Sequence, residues 1–185
     1  MARPKGISTG RERLAQAAGR SFRVGGYGGA GVDTVAREAG LTSGAFYAHF
    51  GSKANAFRVA LVDGLQSLFA GIERFKAEHG DKWLEPFVTF YLGERLAAEL
   101  PEACALPTLT ADAARADEET RLAYETELAR IAGALADGLG GRRAQARAWT
   151  LMAILSGGAA MARAVKDEAV RAEIVASVLA AAKAV

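Results

Sequence analysis

An all-helical fold is what this sequence predicts, and three features predict it. Alanine dominates a chain that is 51% hydrophobic, and β-branched runs are few. Apolar residues recur at spacings of three and four, with no alternating apolar–polar stretch of useful length. Capping residues, glycine pairs and prolines then divide the 185 residues into about nine segments of helical length. Such a length holds one domain or two small ones, with enough apolar residues for a core.

The elements follow in order. Residues 1–8 carry Arg3, Pro4 and Lys5 and read as a flexible basic arm. Thr9-Gly10-Arg11-Glu12 is a capping box that opens a first helix. Leu14, Ala17, Ala18, Ser21 and Phe22 form its apolar face, and Gly25-Gly26 should stop it. Five glycines fall within 25–31, which reads as a loop from which Tyr27 plugs back into a small core. Next come two short helical stretches. Val35 and Ala39 share one face of the first, and Phe46 and Phe50 share one face of the second. Gly40 between them suits the left-handed residue that ends a helix, and Thr42 suits the cap that starts the next. Small Ala36 and Ala39 let the two helices cross closely, so the pair reads as a helix-turn-helix. That packing leaves Ser43, Gly44, Ala45, Tyr47 and His49 outward. Short and hydrogen-bonding side chains of this kind suit a nucleic-acid groove better than a core.

Ser52 is the expected cap of a long helix over 52–76, with Phe57, Leu61, Leu65, Leu68 and Ile72 in line. A turn at 78–81 precedes a helix over 82–99 that carries Phe87, Phe90, Tyr91 and Leu96, with Pro86 in its first turn. Pro101 and Pro107 make 101–115 a short or kinked helix. An acidic start at Asp117-Glu118-Glu119 opens a helix to 139 that Gly140-Gly141 ends. Two last helices span 142–165 and 167–184. In the first of these, Gly157-Gly158 costs helix stability and implies close approach of another helix, so the pair is expected to meet its symmetry mates in a four-helix dimer interface.

Charge narrows the function. The chain is only +2 overall, yet residues 1–60 hold nine Lys/Arg against three Asp/Glu, a balance of +6, and the remainder holds fourteen against eighteen. A basic head on a mildly acidic body points to a polyanion met by the head alone. No signal peptide and no apolar run able to span a bilayer are visible, and the single cysteine fits a reducing cytoplasm. His49 and His79 stand alone, so no metal site is expected. Neither a phosphate-cradling glycine motif nor a nucleophile–base pair is visible, so no cofactor and no catalysis are expected. Cys104 reads as a buried, inert thiol. The sharper alternative, a sensor thiol, needs an exposed thiolate that Glu99 and Glu102 would disfavour.

The head resembles the TetR family of bacterial transcriptional repressors. The likeness lies in Arg11-Glu12-Arg13-Leu14, Phe22, Gly26-Tyr27, Val35-Ala36, Ala39-Gly40-Leu41-Thr42, Gly44, Phe46-Tyr47, His49-Phe50, Ser52-Lys53 and Phe57. Cys104-Ala105-Leu106-Pro107 with Asp117-Glu118-Glu119 is similar to one branch of that family. The resemblance implies a helix-turn-helix DNA-binding domain at 9–55 and a ligand-binding and dimerisation domain at 56–185, with the dimer helices at about 142–185. It implies a homodimeric, cytoplasmic repressor on double-stranded DNA, released from a pseudo-palindromic operator by a small-molecule effector. Phosphate contacts are then expected from Thr42, Tyr47, His49 and Lys53, base-edge contacts from Ser43, Gly44 and Ala45, and a further contact from Thr34. Arg3 and Lys5 would reach a minor groove. An apolar or aromatic effector would sit among Trp83, Phe87, Phe90, Tyr91, Tyr124, Trp149 and Met152. Gly31, where the family favours Ser or Thr, and the short Ser43 are departures from its pattern. The rival class is an all-helical carrier or enzyme with a non-functional head.

Overall fold

A computed structural model describes residues 9–185, and the arm at 1–8, with Arg3 and Lys5, lies outside the described residues. The described chain is built of helices. Its head comprises α1 (Gly10–Gly29), α2 (Val32–Glu38) and α3 (Ser43–Phe50). The long α4 (Lys53–His79) leads into α5 (Leu84–Leu92), the single turn α6 (Glu94–Ala97), α7 (Ala105–Ala113), α8 (Glu118–Leu139), α9 (Ala144–Ala164) and α10 (Glu168–Lys183). Short 3₁₀ turns lie at Gly80–Lys82 and Leu100–Glu102. Among the described residues no helix is long and apolar enough to cross a membrane.

The capping signals act where the sequence places them. The Thr9 hydroxyl accepts from the Glu12 N–H at 3.2 Å, and the Glu12 carboxylate accepts from the Thr9 N–H at 2.7 Å. Thr42, Ser52 and Asp117 each accept an N–H three residues on. Pro86 sits in the first turn of α5 and Pro107 in that of α7, where the missing N–H costs no helical bond.

Three element boundaries differ from expectation. At 25–31 the chain does not leave the helix for a loop. It breaks at Gly26, whose φ of 63° and ψ of −176° suit glycine, and then completes one more helical turn to Gly29. The expected helix over 82–99 divides at Gly93, which adopts a non-helical backbone between α5 and α6. Finally, α4 runs one turn beyond 76, to His79.

The core is continuous from head to body. Leu14, Phe22, Val35, Phe46, Phe50 and Phe57 fill the head, and Leu61 and Leu65 carry the apolar line along α4 into the body. There α8 lies on α4, and α9 and α10 pack beyond it. Two polar contacts bind α1 to the body. The Tyr27 N–H donates to Asp112 Oδ2 of α7 at 3.1 Å, and Arg23 Nε donates to the Pro101 carbonyl at 2.5 Å.

The glycine pair of α9 splits in purpose. A Cβ on Gly158 would lie 2.6 Å from both γ carbons of Val178, so the close neighbour is α10 of the same chain. Gly157 meets nothing within 4 Å and faces outward. On the same helix Trp149 and Met161 are 42% and 54% exposed.

Candidate nucleic-acid interface

The turn between α2 and α3 is closed by backbone chemistry. Leu41 N–H donates to the Ala36 carbonyl at 2.8 Å, and Gly40 N–H to that of Arg37 at 3.0 Å. This is a Schellman ending, and it needs the left-handed residue that Gly40 supplies with φ of 68°. Thr42 then caps α3 at once, so the turn occupies only the residues between Ala39 and Thr42. Gly31 caps α2 without a side-chain bond, as its missing hydroxyl requires.

The core fixes the rotation of α3. Phe46 and Phe50 are buried and pack edge-to-face at 5.2 Å, so the opposite face must look outward. Tyr47 is accordingly 52% exposed where its neighbour Phe46 is 1%. Gly44, Tyr47 and His49 are exposed, and Ser43 and Ala45 are half-buried. Asn55 Nδ2 donates to the Phe50 carbonyl at 2.8 Å and pins the end of α3 to α4.

The hydroxyls of Thr42, Ser43 and Thr34 each have a partner within the fold. Thr42 Oγ1 accepts the Ala45 N–H at 3.2 Å, which leaves its own hydrogen free to donate. Ser43 Oγ, expected at a base edge, donates to Asp33 Oδ1 of α2 at 2.5 Å. A base could reach it only by breaking that bond or by donating to its free lone pair. Thr34 is exposed and accepts from Arg37 Nη2 at 3.4 Å. Lys53 Nζ lies 4.8 Å from the Tyr27 ring centroid, over a ring that stacks on Phe22 at 6.3 Å and meets Phe57 edge-on at 5.4 Å. Tyr27 therefore does rest on the small core, but its other side is open and carries a cation.

Two charges at this edge were not anticipated. Asp33 is the anion that holds Ser43, and Arg37 is an exposed cation beside Thr34. Helical spacing from Val35 and Ala36 could have placed both on the open face of α2, since neither falls on the buried stripe.

This is a two-helix reading edge with its recognition face clear of the core. Residues 14–58 match the sequence pattern of bacterial regulatory proteins of the tetR family. The head thus carries the TetR-family DNA-binding pattern. No curated protein sequence matches the chain. Among solved structures, the chain resembles NemR of E. coli in its reduced form, with a TM-score of 0.81 at 17% identity over 95% of this chain and 96% of that one. A TetR-family regulator from Agrobacterium tumefaciens aligns with a TM-score of 0.77 at 20% identity over 92% and 95%. Another from Legionella pneumophila gives 0.78 at 15% identity over 94% and 97%. At these identities the likeness is one of fold. With the regulatory DNA-binding pattern over residues 14–58, the chain is a DNA-binding transcriptional regulator.

The seven aromatic and sulfur side chains expected around an effector do not form one chamber. Trp83, Phe87 and Tyr91 are buried in a packed cluster with Phe75 and Phe90, at centroid distances of 5.3 to 5.9 Å. The Trp83 indole donates to the Gly138 carbonyl at 3.0 Å, so its polar end is already satisfied. Tyr124 Oη pairs with Thr110 Oγ1 at 3.0 Å, Met152 is buried, and Trp149 stands on the outer surface of α9. Phe90 borders a shallow groove beside His79 and Pro86. A cleft of about 760 Å³ opens instead between α1, the α6 turn, α7 and the α9–α10 junction. Dense packing explains the difference. Large aromatics at helical spacing are the side chains that best fill a core, and here they do.

Cys104 caps α7 and is buried. Burial pushes its thiol up, a larger effect than the opposing Tyr91 hydroxyl, Leu106 N–H and neighbouring arginines.

Proposed function

We propose that the chain acts as a cytoplasmic homodimeric repressor without catalytic activity, and that it leaves a pseudo-palindromic operator when a small molecule binds its body. Residues 9–55 read DNA, 56–185 bind ligand and dimerise, and the α9–α10 pair forms the dimer contact. The observation that carries this reading is the orientation of α3, whose buried phenylalanines leave Gly44, Tyr47 and His49 in the open. Thr42, Tyr47, His49 and Lys53 contact phosphates, Ser43, Gly44 and Ala45 face base edges, and Thr34 lies at the flank. A hydroxyl, a phenol, an imidazole and an ammonium all donate to phosphate oxygen. Trp149, Met161 and Gly157, exposed on one helix, support a partner on α9.

Release requires the two heads to change separation. A hundredfold loss of affinity needs about 2.7 kcal/mol of differential ligand binding, which burial of one modest apolar molecule supplies. Mobility-shift titrations on an inverted repeat from DNA flanking the coding region test the reading. Binding should fall steeply with salt, and Tyr47→Phe or Lys53→Ala should weaken it at every sequence. Unchanged affinity in both variants, or a monomer by sedimentation at micromolar concentration, overturns it.

A further inference from the structure

The large cleft is bordered by three arginines from three helices, Arg23 of α1, Arg163 of α9 and Arg171 of α10. Arg171 is fully engaged. It donates to the carbonyls of Ala162 and Val165 at 3.1 and 3.2 Å and pairs with Glu168 at 3.0 Å. Arg23 and Arg163 differ, because each makes only backbone contacts. Arg23 uses Nε on the Pro101 carbonyl, and Arg163 uses Nη2 on the carbonyls of Arg95 and Ala98 at 3.3 and 3.0 Å. Among the described residues neither has a carboxylate within ion-pair distance, so the Nη hydrogens of Arg23 and the Nε and Nη1 hydrogens of Arg163 stay uncommitted.

A guanidinium held by carbonyls, half-buried and without a carboxylate in direct contact gains from one that comes into contact. Burial pushes Arg23 below its ordinary value, against the opposing pull of the nearby Glu102 carboxylate and with Arg95 adding repulsion. The charges bordering the cleft are three guanidiniums against the carboxylates of Glu99 and Glu168, a net of +1, which a single negative charge balances. Apart from Thr108, the rest of the wall is apolar, including Leu92, Leu96, Leu100, Pro107 and Val175. Its volume lies within the roughly 300–1,000 Å³ of small-molecule sites.

We propose that this cleft binds a small organic monocarboxylate, its charged end between Arg23 and Arg163 and its apolar stem along the leucine-lined wall. Planar guanidinium forks suit a carboxylate in a way that lysine would not. The position also bears on the head. Arg23 lies on α1 and already grips the 3₁₀ turn at Leu100–Glu102, so a ligand that engages it acts on the helix that carries the reading edge. That second step rests on the release mechanism proposed above, whereas binding does not.

Calorimetric titration of the full chain with hexanoate, benzoate, hexanamide and hexyl phosphate tests the site. At least one carboxylate should bind, and hexanamide should bind at least tenfold more weakly than hexanoate. Arg163→Gln should cost a similar factor, the loss of one charge-assisted contact. Because Arg163 also anchors the α6 turn, Ala97→Trp serves as the second variant. Ala97 is an exposed residue of the cleft wall, and an indole there should block the mouth while the thermal midpoint holds. Hexanamide equal to hexanoate, hexyl phosphate tighter than both carboxylates, no carboxylate binding at millimolar concentration, or indifference to both variants overturns the proposal. Operator binding measured beside it separates the two readings. Carboxylate binding without release keeps the cleft and sinks the release mechanism, and release by a neutral compound with no carboxylate bound does the reverse.

Discussion

Replacing Gly26 by alanine should loosen the join between the head and the body. Gly26 holds φ of 63° with ψ of −176°, a combination that side-chain-bearing residues avoid at a cost of about 1–3 kcal/mol. A Cβ there would also lie 2.9 Å from Asp112 Oδ2. That oxygen cannot simply retreat. It accepts the Tyr27 N–H at 3.1 Å, while the other carboxylate oxygen holds Arg115 at 2.9 Å. Yielding sacrifices an exposed charge-assisted bond, about 1 kcal/mol. The expected destabilisation of Gly26→Ala is therefore about 2–4 kcal/mol, a large part of the roughly 5–15 kcal/mol that holds a domain. Urea unfolding followed by circular dichroism measures it, at one fixed protein concentration because association would shift the midpoint. Asp112→Ala alone should cost about 1 kcal/mol, and the double variant should cost less than the sum because the steric conflict has gone. A Gly26→Ala protein within about 0.5 kcal/mol of the parent would refute the reasoning.

Three further outcomes follow from single residues. Gly44→Ala meets only Thr42 Oγ1, at an ordinary 3.6 Å, so it should hold or raise the thermal midpoint through helix propensity worth up to about 1 kcal/mol. The same methyl should weaken operator binding if α3 lies close in the groove, and unaltered affinity would place Gly44 away from the bases. Cys104, buried with its thiol pushed up, should resist iodoacetamide at neutral pH until urea unfolds the chain. Labelling of the folded protein at the unfolded rate would contradict this. Hydrogen bonds from Thr120 hold the Asp117 carboxyl below its ordinary value. Its contribution is thus complete above the ordinary carboxylate range and is lost as pH falls through the lower folded value. Asp117→Asn should keep the cap and flatten that acid limb of a stability profile, and an unchanged limb would show that other carboxylates set it.

Local chemistry made the head readable in advance. Thr9 with Glu12, Gly40 with Thr42, and the pairs Val35–Ala39 and Phe46–Phe50 each act within a few residues, so their spacing carried the helix ends and the outward face of α3. Where a contact spans the chain, spacing was mute. Ser43 gave no sign that Asp33, ten residues back, would take its hydrogen. The break at Gly26 without a loop likewise depends on Asp112, 85 residues away from Tyr27. The dense packing of the residues expected around an effector was hidden for a related reason. Helical periodicity identifies aromatics that face inward, and it cannot distinguish an interior that is filled from one that is hollow.

The order of residues alone determined the helices, their caps, the tight turn and the basic character of one end, because these rest on bonds between near neighbours and on composition. Only the tertiary structure decided which inward faces close on one another and which leave a gap. It set Trp83 against Gly138, Gly158 against Val178, and Arg23 and Arg163 on the wall of one cleft. Such juxtapositions join residues 20 to 140 positions apart, where chain connectivity constrains little and packing density governs.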